Sequence, residues 1–213
     1  MPTTPNKKYE VRKGEEREPS PFSVPLSHLL LYGGLGLISL MFFGFIFAYV
    51  YATFQKDLTL LKIPNIFHAN TVIILSSSIL LKASSIFLKR EEYREYAYSL
   101  LATLTLGIVF MLFQIIGWME LLDAGVSMRN SANGAYLYLI SGLHLLHIIG
   151  GFVPLSFFTF TAFKLRSDVV HELIFTTDPG RFSKFKMLSL YWHFVGGLWL
   201  AIYLVFVVLN LVG

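Results

Sequence analysis

The chain contains no cysteine. That absence excludes disulfide scaffolds, cysteine-ligated zinc, iron–sulfur clusters and thiol catalysis. Charge is scarce as well: 14% of the 213 residues are Asp, Glu, Lys or Arg, while 55% are hydrophobic. An apolar share above the usual range for soluble domains argues against an ordinary globular enzyme and strongly against disorder. Charge is absent altogether from five stretches, 19–55, 63–81, 96–119, 130–163 and 187–213. Together these hold 141 residues, which confines all 30 charged side chains to the other 72.

Each uncharged stretch reaches or nearly reaches the roughly 20 residues that a helix needs to cross about 30 Å of hydrocarbon. None alternates polar residues every turn, as a soluble core helix would. The expected fold is an all-α bundle of five transmembrane helices near 26–52, 64–88, 96–121, 134–163 and 187–211. Residues 1–25 form a polar, Pro-rich tail, and 26–213 form the helical domain. The tail has no short apolar region before a small-residue cleavage site, so the first helix is expected to remain as an anchor. The short 53–63 and 122–133 connections predict that consecutive helices pack as antiparallel neighbours.

Lys and Arg are distributed unevenly about these helices. The tail, the 89–95 turn with Lys82, and the 164–186 loop carry fourteen; the 53–63 and 122–133 loops carry three. By the positive-inside rule the N-terminus lies in the cytoplasm and the C-terminus outside. This asymmetry accounts for most of the net charge of +4. A nucleic-acid partner is not expected, since no basic patch interleaved with aromatics sits on a soluble surface.

The five uncharged stretches offer only His, Asn, Gln, Ser, Thr, Tyr and Trp as polar side chains. Ion-coupled transporters usually place ionisable groups near the midplane, so a small transporter subunit is the weaker alternative. Asn70, Ser77 and Ser84 recur every seven residues on the second helix and predict interhelical hydrogen bonds; Gln114 and Gly117 lie one turn apart on the third. Trp118 reads as an interfacial belt residue. Gly44, Ala48 and Ala52 form a small-residue stripe on the first helix, open to packing within the chain or to docking against a partner. His144 and His147 lie near the bilayer midplane and are expected to face one side together with Ser141 and Gly151. Pro154 should bend the fourth helix and free the carbonyl of Gly150. Bis-His haem ligation is disfavoured by depth, because His193 enters the fifth helix only about 9 Å from its end. No metal or cofactor site is expected in this chain.

Two segments, Ser-Gly-Leu-His-Leu-Leu-His-Ile-Ile-Gly-Gly at 141–151 and Tyr-Trp-His-Phe-Val-Gly-Gly-Leu-Trp at 191–199, resemble the C-terminal signatures of cytochrome c oxidase subunit III. Met-Phe-Phe-Gly at 41–44, Asn-Thr-Val-Ile-Ile-Leu-Ser-Ser at 70–77, and Leu-Gly-Ile-Val-Phe at 106–110 with Gln114 agree with it. The resemblance spans about 26–210. That family also includes subunit III of quinol oxidases and a nitric-oxide-reductase-associated relative. The five-helix form resembles bacterial members of the plasma membrane; seven-helix members carry two further N-terminal helices. The resemblance implies a non-catalytic subunit of a haem–copper terminal oxidase. Such a subunit packs against subunit I, assembles with subunits II and IV, joins a respiratory supercomplex in some systems, and binds phospholipid. Haem and copper reside in the partner subunits. His144, His147, Trp192, His193, Gln114, Asn70, Gly44, Ala48 and Ala52 are the structural and interface candidates that follow.

Three positions depart from the family pattern. Ser39 stands where many members have a buried Glu. Gly117 stands where a Glu commonly follows the third-helix Gln, and Gly196 where an Asp follows Tyr-Trp-His-Phe-Val. Carbodiimide reactivity tied to the buried Glu is expected to be absent. Close packing at small residues is expected to remain.

Overall fold

The computed structural model describes residues 26–55, 63–167, 177 and 180–212. The N-terminal tail, Lys56, Lys62 and most of the 164–186 loop, on which much of the charge bias rests, lie outside these residues. Five long helices stand among the described residues: α1 (Leu26–Gln55), α2 (Asn65–Lys89), α3 (Tyr93–Asp123), α4 (Ala132–Ser167) and α5 (Arg181–Val212). All five are long and apolar enough to cross a membrane. The chain is an all-α, multi-pass membrane protein.

Most helix ends extend past the expected bounds. α3 begins at Tyr93 and α5 at Arg181, where Lys184 N–H already donates to Gly180 C=O at 3.0 Å. The uncharged runs measure hydrocarbon thickness, whereas the hydrogen-bond ladder continues through charged residues into the headgroup layer.

The helix termini are set by local chemistry. Pro64, with no N–H to lose, precedes α2, and its carbonyl accepts from Phe67 N–H at 3.0 Å. Ser131 caps α4 by accepting from Gly134 N–H at 3.1 Å. α2 and α3 both end in a left-handed residue with a six-to-one bond. After α3 this residue is Gly125 (φ 80°), and Val126 N–H reaches Leu121 C=O at 2.9 Å. After α2 it is Glu91 (φ 60°), with Glu92 N–H on Phe87 C=O at 3.0 Å. A side chain at that backbone conformation carries strain that glycine avoids.

Helices α2, α3, α4 and α5 close into a ring in which α2 meets both α3 and α5. Their core runs the length of the bundle in three clusters. Phe67, Leu121, Leu137 and Ile202 fill one end, Ile74, Phe110, Val195 and Trp199 the middle, and Leu88, Tyr96, Ala162 and Phe185 the other end. The expected α3–α4 antiparallel pairing is present. The expected α1–α2 pairing is not: α1 lies outside the ring along α4 and α5. α2 turns two of its sides to α3 and α5 and leaves Val72, Ile79 and Ile86 exposed rather than covered by α1. α1 reaches the ring through Phe42 against His147 (ring centroids 5.6 Å apart) and Tyr49 against Phe206 (5.4 Å).

Candidate functional site

The buried polar groups of the ring occupy the seams between helices. On α2 the seven-residue spacing of Asn70, Ser77 and Ser84 buries all three. Asn70 Nδ2 donates across the α2–α3 seam to Gln114 Oε1 at 3.1 Å. Ser77 Oγ donates to Ile74 C=O in its own helix at 2.7 Å and accepts from Trp192 Nε1 at 3.1 Å. Two turns along α5, in heptad register, Trp199 Nε1 donates to Thr71 Oγ1 at 3.1 Å, and Thr71 donates back to Phe67 C=O. Two indoles thereby hook α5 onto α2. Ser84 bonds only to Leu81 C=O within its helix, so it adds no seam bond among those resolved. Trp199 and Thr71 were not among the sequence candidates. The seven-residue repeat that singled out Asn70 and Ser77 also relates Trp192 to Trp199 and could have found Trp199; Thr71, one residue off that register, carries no such signal.

The two α4 histidines part company. His144 is fully buried in the ring; its Nε2 donates to Val195 C=O at 3.1 Å, and its ring lies 5.1 Å from that of Trp199 and 5.7 Å from that of Phe110. His147 turns toward α1, packs its ring on Phe42, and donates from Nδ1 to Leu143 C=O of its own helix at 2.7 Å. The expectation that both face one side is corrected. Three residues along a helix leave a 60° offset, which here straddles the boundary between the ring interior and the α1 groove. His193 sits with His28 on the wall of a cavity of about 520 Å³ at the shared end of α1, α2 and α5, and His28 is hydrogen-bonded to Ser183 at 2.9 Å. Trp118, expected as a belt residue, donates across the α3–α4 seam to Ser141 Oγ at 3.0 Å.

Glycines mark the closest approaches. A Cβ on Gly117 would lie 2.3 Å from Phe67 Cε1, one on Gly151 2.7 Å from Tyr191 Cε1, and one on Gly196 3.1 Å from Ser78 Oγ. The ring of Phe67 therefore fills the space a Glu at 117 would need. The hydroxyl of Ser39 bonds to Leu35 C=O at 2.8 Å. α4 continues through Pro154. The Tyr191 hydroxyl lies near Gly150 but donates to His147 C=O at 2.9 Å, not to the carbonyl that Pro154 was expected to free. The α1 stripe divides: Ala52 is buried and Ala48 half-buried, while Gly44 is exposed with open space where a Cβ would stand.

These features define a polytopic helical membrane protein whose interior is knit by amides, hydroxyls and indoles. No Asp, Glu, Lys or Arg is buried among the described residues. The family model for cytochrome c oxidase subunit III matches residues 38–210, and the chain belongs to that family. Among curated proteins it is similar to "Probable cytochrome c oxidase subunit 3" of Mycobacterium tuberculosis, at 30% identity over 48% of this chain and 46% of that one. It is also similar to "Cytochrome c oxidase subunit 3" of Gallus gallus, at 28% over 70% of this chain and 51% of that one. The corresponding protein of Loxodonta africana is 28% identical over 63% and 47%. The chain spans about half the length of the curated relatives it matches.

Proposed function

We propose that this chain is the non-catalytic subunit III of a haem–copper terminal oxidase in a bacterial plasma membrane, N-terminus inside, packing against and stabilising subunit I. Family membership carries the reading. The ring interior supports it: the carboxylate positions of the family pattern at 117 and 196 are closed by Phe67 and Ser78, which leaves helix packing as the role of those sites. Subunits II and IV join through subunit I, which holds the haem and copper. The exposed face of α1, with Leu37, Leu40, Phe43 and Phe47 around Gly44, is the surface offered to lipid or partner helices. A phospholipid headgroup suits the cavity at the cytoplasmic end, where Lys82, Lys89 and Lys186 join His28 and His193 over an apolar floor that includes Leu88.

Purification under mild detergent tests the reading. The chain is expected to co-purify with a haem-containing subunit, and alone to show neither haem absorbance nor oxygen reduction. Stoichiometric haem in the isolated chain overturns it. Replacing Lys82 and Lys186 by Gln is expected to lower the anionic lipid retained, measured as phosphorus per chain.

A further inference from the structure

Three buried polar atoms at the centre of the ring have no protein partner: Asn70 Oδ1, Gln114 Nε2 and His144 Nδ1. All three residues are fully buried. Their helices are brought to one level by a closed circuit of contacts. Asn70 bonds Gln114 across α2–α3. Phe110, one turn from Gln114, meets His144 across α3–α4. His144 meets Trp199 across α4–α5, and Trp199 bonds Thr71, the neighbour of Asn70, across α5–α2. A polar group left unpaired in this interior is destabilising, because it has given up its hydrogen bonds to water without replacement.

The inventory of the three atoms is specific. Val195 C=O can only accept, so His144 Nε2 carries the proton and Nδ1 of the neutral ring is an acceptor. Asn70 Oδ1 is a second acceptor and Gln114 Nε2 a donor. Two acceptors and one donor complement a molecule with two donors and a lone pair. Exchanging O and N in both amides leaves one amide donor and one amide acceptor unpaired, so the inventory survives reassignment. We infer that Asn70, Gln114 and His144 hold one ordered water molecule at the centre of the α2–α5 ring. The water accepts from Gln114 and donates to Asn70 and His144, the three bonds typical of a buried water. At this level it links α4 to the α2–α3 pair, about one turn from the direct bond between Trp118 of α3 and Ser141 of α4.

The chain has two glutamines, Gln55 and Gln114, so ¹⁵N labelling of glutamine side chains gives two amide nitrogens, each with a pair of proton signals. In the full chain reconstituted in lipid nanodiscs, the Gln114 amide is expected to show a water cross-peak with the sign of a dipolar contact rather than of exchange. His144→Leu, which removes a water ligand but no bond to Gln114, should abolish it. His147→Leu, on the other side of α4, should leave it intact. A Gln114 amide without a water cross-peak overturns the inference, as does one that His144→Leu leaves unchanged. A map of the unmodified chain at about 2 Å gives a second reading, with a peak expected about 2.7–3.1 Å from all three atoms. Asn70 and Gln114 joined by both possible amide bonds, with no peak between them and His144, overturns the inference. These measurements concern the isolated chain and stand or fall independently of its place in an oxidase.

Discussion

The α2–α5 ring and α1 both consist of helices long and apolar enough to cross a membrane, yet they are built differently. In the ring, each seam has an apolar layer and a directional bond: Asn70 to Gln114, Trp118 to Ser141, His144 to Val195, and Trp192 to Ser77. α1 meets the ring mainly through aromatic contacts, with a hydrogen bond to His28 near its start, and leaves Leu37, Leu40, Phe43 and Phe47 exposed. In hydrocarbon no water expulsion holds helices together, so close backbone approach and internal hydrogen bonds determine which helix belongs to the core. Glycine illustrates the contrast. At Gly117 the space beyond Cα is occupied by Phe67, whereas at Gly44 it is empty.

The largest effect should come from imposing the family's carboxylate on the ring. Gly117→Glu must displace Phe67 and bury a carboxyl group, and is expected to abolish monodisperse folded chain in size-exclusion chromatography. Gly117→Ala should still cost about 1–3 kcal/mol, read as a drop in thermal midpoint. Gly44→Ala should leave the midpoint of the isolated chain unchanged or slightly raised, because alanine favours helix and meets nothing. Equal losses at the two glycines would erase the distinction between ring and α1.

A smaller loss is expected from the indole hooks. Trp199→Phe keeps most of the ring's packing and removes the bond to Thr71, for about 0.6–1.7 kcal/mol in thermal unfolding. Thr71 retains its bond to Phe67, so the double variant Trp199→Phe with Thr71→Val should cost less than the sum of the two. His147→Leu and His193→Leu, which lie outside the ring interior, should barely move the midpoint. They are expected to lower the fraction of chain retained by the large subunit in mild detergent, and full retention in both would count against an interface role. The smallest effect should be a gain. Glu91→Gly relieves the left-handed turn after α2 and should stabilise by about 1 kcal/mol. No gain there would mean that the Glu91 side chain makes compensating contacts.

The five spans were legible in the sequence because excluding charge from hydrocarbon is a property of each segment alone. That Asn70 and Ser77 face other helices was legible as well, since heptad spacing places residues on one face whatever the partner; that Asn70 meets Gln114 was not. The grouping of helices was not. Short connections suggested α1 beside α2, but which faces mate depends on the surfaces of both helices, and α1 packs along α4 and α5 while α2 leaves Val72, Ile79 and Ile86 exposed. The separation of His144 from His147 escaped for a related reason: a 60° offset along α4 has meaning only once the positions of α1 and α5 are known.

The three departures from the family pattern draw the same boundary. That Ser39, Gly117 and Gly196 are neutral was plain from the residues. That Phe67 stands in the place of a side chain at 117, while Ser39 bonds its own helix, required the folded chain. The sequence by itself determined how many helices cross the membrane and which polar groups enter it, because transfer into hydrocarbon acts residue by residue. Only the tertiary structure decided which of those groups meet, because a hydrogen bond or a close glycine contact is a property of two helices at one level.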